Sequence, residues 1–69
     1  MANSTYKIIE LVGTSETSWE DAATTALETA GESLRDLRIA EITKLDITME
    51  NGKIKNFRTR INVSFKYQK

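Results

Sequence analysis

The chain has 69 residues, ten basic and ten acidic, and contains no cysteine, histidine or proline. That composition excludes disulfides, thiolate or imidazole zinc sites, and nucleophile arrangements of the Cys/His or Ser-His-Asp kind. A formal net charge of zero argues against a nucleic-acid partner, which draws a basic excess or stripe, and no apolar run is long enough for a signal-peptide core or a membrane span.

One cytoplasmic domain, residues 1–69, is the expectation. Cores in chains shorter than about 70–80 residues rarely supply more than ~3–5 kcal/mol. With disulfides and zinc removed, self-association is the stabiliser that remains.

Tyr6 to Val12 reads as a first strand with apolar residues on both faces. Gly13 to Glu16 reads as the turn out of it. Thr17 with Glu20 matches a capping box, and Asp21 adds a negative charge where the helix dipole favours one. Trp19, Ala22, Ala23, Ala26, Leu27, Ala30 and Leu34 then form one stripe at helical spacing. Its alanines let the helix sit close to a sheet. Arg35 is placed to help cap the last turn.

Leu37 to Met49 reads as a second strand whose alternation changes phase. Ala40 and Ile42 fit one parity, whereas Leu45, Ile47 and Met49 fit the other. A slip of one residue turns every side chain over, so a β-bulge near Thr43 and Lys44 is predicted. It places the apolar set under the helix and turns Ile39, Glu41, Lys44 and Asp46 outward. Asn51-Gly52 signals a hairpin, read with a three-residue loop that brings Leu45 opposite Phe57. From Phe57 to Tyr67 the odd positions are mostly apolar and the even ones polar, the mark of a strand with one buried face.

The predicted fold is α+β: a β-α-β-β subunit with a three-stranded antiparallel sheet on one helix, the last strand in the middle. The outer face would carry Ile8, Ile39, Glu41, Lys44, Asp46, Arg58, Arg60 and Asn62. That face is too mixed for a core and too apolar in places for plain solvent, and symmetric packing against further copies would account for it. The candidate ligand-binding set is Ile39, Glu41, Lys44, Arg58 and Arg60. The two arginines suit an anion; pairing with Glu41, Asp46 or a neighbouring copy's carboxylates is the plainer reading. For calcium, Glu16, Glu20, Asp21 and Asp46 offer oxygen, but no loop gathers them. Trp19 reads as packing. No enzyme is expected, because Glu20 and Asp21 are adjacent at an exposed helix start.

Several stretches together resemble the dodecins: Tyr6-Lys7-Ile8-Ile9-Glu10-Leu11-Val12-Gly13-Thr14-Ser15, then Ser18-Trp19-Glu20-Asp21-Ala22-Ala23, Leu34-Arg35-Asp36-Leu37-Arg38-Ile39-Ala40-Glu41-Ile42 and Ile61-Asn62-Val63-Ser64-Phe65. The resemblance implies a homododecamer forming a hollow shell, and a role in binding and storing riboflavin or FMN rather than catalysis. It also implies a flavin-stacking tryptophan on the second strand and a flavin-pairing glutamine on the third. Those positions are Ile39 and Arg58 here. A branched alkyl chain offers no π-face, and a guanidinium donates without accepting. The Arg38-Ile39-Ala40 version resembles the calcium dodecins. The resemblance therefore implies a shell whose ligand is calcium or a small anion, with altered flavin binding as the alternative.

Overall fold

A computed structural model describes residues 3–67. The chain runs β1 (Tyr6–Ser15), α1 (Trp19–Gly31), β2 (Leu37–Glu50) and β3 (Lys53–Lys66). β3 lies between the other two and is antiparallel to both. This is the predicted β-α-β-β order. β3 begins earlier than expected because the hairpin reaches beyond the alternating stretch, and it stops at Lys66, where the Tyr67 N–H turns to the Thr5 carbonyl at 2.8 Å.

The strand β1 extends through Gly13, Thr14 and Ser15, which the sequence suggested as a turn. They pair with Thr59, Arg58 and Phe57. Gly13 allows this extension because helix and strand nearly touch there. A Cβ on it would lie 2.1 Å from the Ala22 carbonyl oxygen, inside any van der Waals limit.

The helix starts one residue later than expected. Ser18, in extended conformation, is the N-cap, and its hydroxyl accepts the Asp21 N–H at 3.0 Å. Thr17 is instead held by its N–H, which donates to the Ser15 hydroxyl at 2.9 Å. That hydroxyl donates in turn to the Asp21 carboxylate at 2.7 Å. Arg35 does not cap the other end: Glu32 is the C-cap, and the last turn carries no basic residue.

Ala22, Ala26 and Ala30, spaced one turn apart, are the helix's buried residues; Ala26 packs with Ile61 and Val63 of β3, and Ile9, Leu11, Ala23, Leu27 and Leu37 surround that cluster. The helix packs on β1 and β3. That corrects one expectation. The apolar residues of β2 are on the helix-side face, but the helix does not lie over them. Ile42, Leu45 and Met49 are about half exposed.

The predicted bulge is present between Ile42 and Lys44, and further shifts lie between Leu37 and Ile39 and between Thr48 and Met49. The hairpin loop is shorter than expected. Asn51 and Gly52 have φ of 54° and 76°, Glu50 pairs directly with Lys53, and the loop is therefore two residues long. Lys55 is left out of the ladder, so Leu45 meets Thr59 and Ile47 meets Phe57. The parity of the faces survives, because the error was two residues.

Candidate functional site

The outer face is built in rows across the three strands. The first is Ile8, Ser64 and Ile39; the second is Glu10, Asn62 and Glu41. Val12, Arg60 and Lys44 follow, then Thr14, Arg58 and Asp46. All five candidate ligand residues lie on this face, within four neighbouring rows. The Thr43 bulge makes this so. Without it, Lys44 would point to the helix side and Glu41 and Lys44 would lie on opposite faces. The Thr43 hydroxyl fastens the bulge by donating to the Arg60 carbonyl at 3.2 Å.

Arg58 is paired within the chain. Its Nε donates to Asp46 Oδ1 at 2.7 Å and its Nη2 to Oδ2 at 2.9 Å, a two-point clamp. The hydrogen bonds from Arg58 lead in holding the Asp46 carboxyl below its ordinary range, with the positive charges of Arg58, Arg60 and Lys44 acting the same way. Asp46 in turn pushes the guanidinium pKa up. The plainer reading of Arg58, as an ion-pair partner, is the one the geometry shows.

Lys44 and Arg60 sit directly opposite each other in the ladder, two positive charges side by side. Among the described residues the ion pairs join Arg38 to Asp36, Lys55 to Glu50 and Arg58 to Asp46. Lys44, Arg60, Glu10 and Glu41 take part in none of them. Ile39 is 67% exposed, with Ile8 in the same row 63% exposed. This is an apolar patch with nothing stacked on it in the single chain.

Asp46 is the residue the candidate set lacked. The sequence offered it as a partner for the arginines, but its central place follows from the register. Its backbone oxygen accepts the Trp19 Nε1–H at 3.0 Å on one side, while its carboxylate holds Arg58 on the other. Trp19 also meets Phe57 edge to face, with ring centres 5.1 Å apart. It is a packing residue, as expected.

The four carboxylates considered for calcium are dispersed. Asp21 is engaged by Ser15 and Asp46 by Arg58. Among the described residues, no three Asp, Glu, His or Cys side chains come together in a set fit for a metal. No helix of the described chain is long and apolar enough to cross a membrane.

The same fold recurs in known proteins. The sequence model of the family described as Dodecin matches residues 5–68. The calcium dodecin of Mycobacterium tuberculosis is 44% identical over 64 residues, covering 91% of this chain and 89% of its own length. A crystal structure of that organism's calcium dodecin, described as a calcium-chelating immunodominant antigen with a novel calcium-binding site, superposes with a TM-score of 0.85 at 42% identity over 94% of this chain and 93% of its own. A mutant dodecin of Thermus thermophilus gives 0.90 at 33% identity, over 97% of this chain and all of its own. Dodecin from Streptomyces coelicolor gives 0.93 at 29% identity, over 100% of this chain and 99% of its own. With the family match spanning nearly every residue and these folds coinciding from end to end, the chain belongs to the dodecin family.

Proposed function

We propose that the chain, as one unit of residues 1–69, builds a non-enzymatic cytoplasmic shell of twelve copies that binds or stores a small ligand. The ligand is calcium or a small anion rather than a tightly stacked flavin. One observation carries the choice of ligand. Arg58, at the position where the family's flavin-pairing glutamine is expected, is closed on Asp46 through both carboxylate oxygens, 2.7 and 2.9 Å away. A flavin edge would have to open that pair, and Ile39, three rows away on the same face, supplies no ring to stack on.

Assembly is supported by surface. The isolated chain exposes 5377 Å², whereas a compact monomer of its 7.8 kDa exposes about 4,400 Å². Large apolar side chains are among the exposed residues: Ile42, Leu45, Met49 and Ile54 on the helix-side face and Ile8 and Ile39 on the outer face. Such a surface fits burial against further copies. Calcium is favoured by the relative described as a calcium dodecin. Since the carboxylates of one chain are dispersed, a calcium site here would draw its oxygens from more than one copy. The unpaired Lys44 and Arg60 support the anion.

Native mass spectrometry of the purified protein, alone and with riboflavin, FMN or calcium, tests this. A twelve-chain mass that gains calcium and no flavin is expected. Twelve chains carrying a flavin complement would favour the alternative, in which Ile39 and Arg58 still form a working flavin pocket. A stable monomer at micromolar concentration would overturn the shell.

A further inference from the structure

The β2–β3 ladder runs past the end of β1, whose last pair is Ser15 with Phe57. Residues 48–56 are therefore an arm of two strands, a ribbon that is marginal without a third strand beside it. At its tip Asn51 and Gly52 are exposed. Their φ angles are 54° and 76°, and Glu50 pairs directly with Lys53. Positive φ at both central residues makes a type I′ turn. A Cβ on Gly52 would meet nothing within 4 Å, so the space around it is open.

A two-residue loop accepts type I′ and type II′ alike, and one becomes the other when the peptide unit between the central residues turns over. In type II′ the first residue has φ of about 60° and ψ of about −120°, and the second has φ of about −80°. Asn51 keeps its φ in that flip. Gly52, which takes either sign of φ at no steric cost, absorbs the change. The flipped ψ carries the Gly52 nitrogen onto the side of the Cα–C bond that bears the Asn51 Cβ, toward the amide carbon Cγ. A residue with a Cβ populates that region sparsely, so the flipped turn is the minor state.

We propose that Asn51 is a site of intramolecular modification, reached by this peptide flip in the folded hairpin. The Gly52 nitrogen loses its proton and bonds to Asn51 Cγ, while the side-chain nitrogen takes up a proton and leaves as ammonia. The product is a cyclic imide, which water then opens. Cleavage between Cγ and the Gly52 nitrogen gives an aspartyl residue. Cleavage between the Asn51 backbone carbonyl and that nitrogen gives an isoaspartyl one. Either product adds a carboxylate to the hollow that Glu16, Glu50, Lys53 and Lys55 line. The isoaspartyl form also puts an extra methylene into the main chain, for which the direct Glu50–Lys53 pairing leaves no slack. Asn56 and Asn62 are the contrast: each is paired within the ladder and is followed by a bulky residue, Phe57 or Val63.

The test holds the folded chain at neutral and at mildly alkaline pH and follows each asparagine by brief acidic digestion and peptide mass spectrometry. Conversion of amide to acid is expected at Asn51, while Asn56 and Asn62 keep their amides. It should be faster at the higher pH, because the Gly52 nitrogen must lose its proton. Urea below the unfolding transition reads the route. Global unfolding exposes much surface and rises steeply with urea, whereas a turn flip exposes little, so the Asn51 rate should stay level. An Asn51 amide that lasts as long as that of Asn62 overturns the site. A rate that climbs with urea in step with unfolding overturns the flip in the folded hairpin. Asn51→Gly keeps a residue free to take positive φ and should remove the conversion from the tip peptide. A tip peptide that still gains the acid mass in that variant overturns the assignment to Asn51.

Discussion

Ile61 and Ile42 face each other across the ladder between β3 and β2, on the same side of the sheet, yet the first is fully buried and the second is 47% exposed. The same contrast holds one position along, where Thr59 is 1% exposed and its partner Leu45 51%. The alternation in the two strands is equally apolar, so hydropathy does not separate them. The helix does. Its three buried alanines and Gly13 draw it down over β1 and β3, and a helix ~10 Å wide cannot also cover a third strand. One half of the face is a core within the chain, and the other half is left open, to be covered by a further copy in the assembly proposed above.

Substitutions in the two halves should therefore fail differently. Ile61→Ala removes a fully buried side chain and leaves a cavity, at a cost of about 2–5 kcal/mol. It should lower the urea midpoint of the fold itself, whatever the protein concentration. Leu45→Ala should leave the circular dichroism spectrum unchanged while weakening assembly in a dilution series. Equal losses of fold stability in both variants would break the comparison.

Gly13 tests why the helix lies where it does. In Gly13→Ala the new methyl group would meet the Ala22 backbone oxygen, a group that cannot rotate away. The helix would have to lift off β1, costing about 1–3 kcal/mol as overpacking does. The expected result is a lower thermal midpoint together with faster amide exchange in α1. An unchanged midpoint would show that the close approach is not what seats the helix.

Much of this was legible in the residues. The period of β3, the alanine stripe and the phase change in β2 gave the element order, the faces and the bulge. The placement of Ile39, Glu41, Lys44, Arg58 and Arg60 on one outer face followed from those. What the residues did not show was fine register. A two-residue Asn51-Gly52 loop and a three-residue loop share one signature, and the exclusion of Lys55 from the ladder has no pattern in the sequence. The Asp46–Arg58 clamp depends on that register. Nor does an apolar residue say whether its own helix or another copy covers it, which is why β2 looked like core.

Besides the β2–β3 ladder and the Thr43 and Ser64 hydroxyl bonds, two contacts made at Asp46 tie the uncovered strand to the rest. On the helix side the Trp19 Nε1–H reaches its backbone oxygen. Trp19→Phe keeps an aromatic ring against Phe57 but removes that donor, so a loss of about 1 kcal/mol is expected. The loss should appear in the urea midpoint and be accompanied by faster exchange of β2 amides than of β1 amides. Equal exchange in the two strands would mean that the indole does not anchor β2.

On the outer face the tie is the clamp to Arg58, and its signature is a pH dependence of known sign. Arg58 holds the Asp46 carboxyl below its ordinary value of 3.8. A carboxylate with a lowered folded-state pKa contributes stability that is complete above the unfolded value and disappears as pH falls through the folded one. The clamp should therefore be intact at neutral pH and down to about the ordinary carboxylate range near pH 4, opening only in stronger acid. Both partners are well exposed, with 39% and 42% of their side-chain surface open to solvent, so the effect should be the smallest of the set. The check is the difference in urea midpoint between the protein and its Asp46→Asn variant, followed from pH 7 downward. That difference should hold steady to about pH 4 and shrink below it. A difference that grew with acidity would mean that the carboxylate opposes the fold, and that Arg58 is drawn to this position by something other than Asp46.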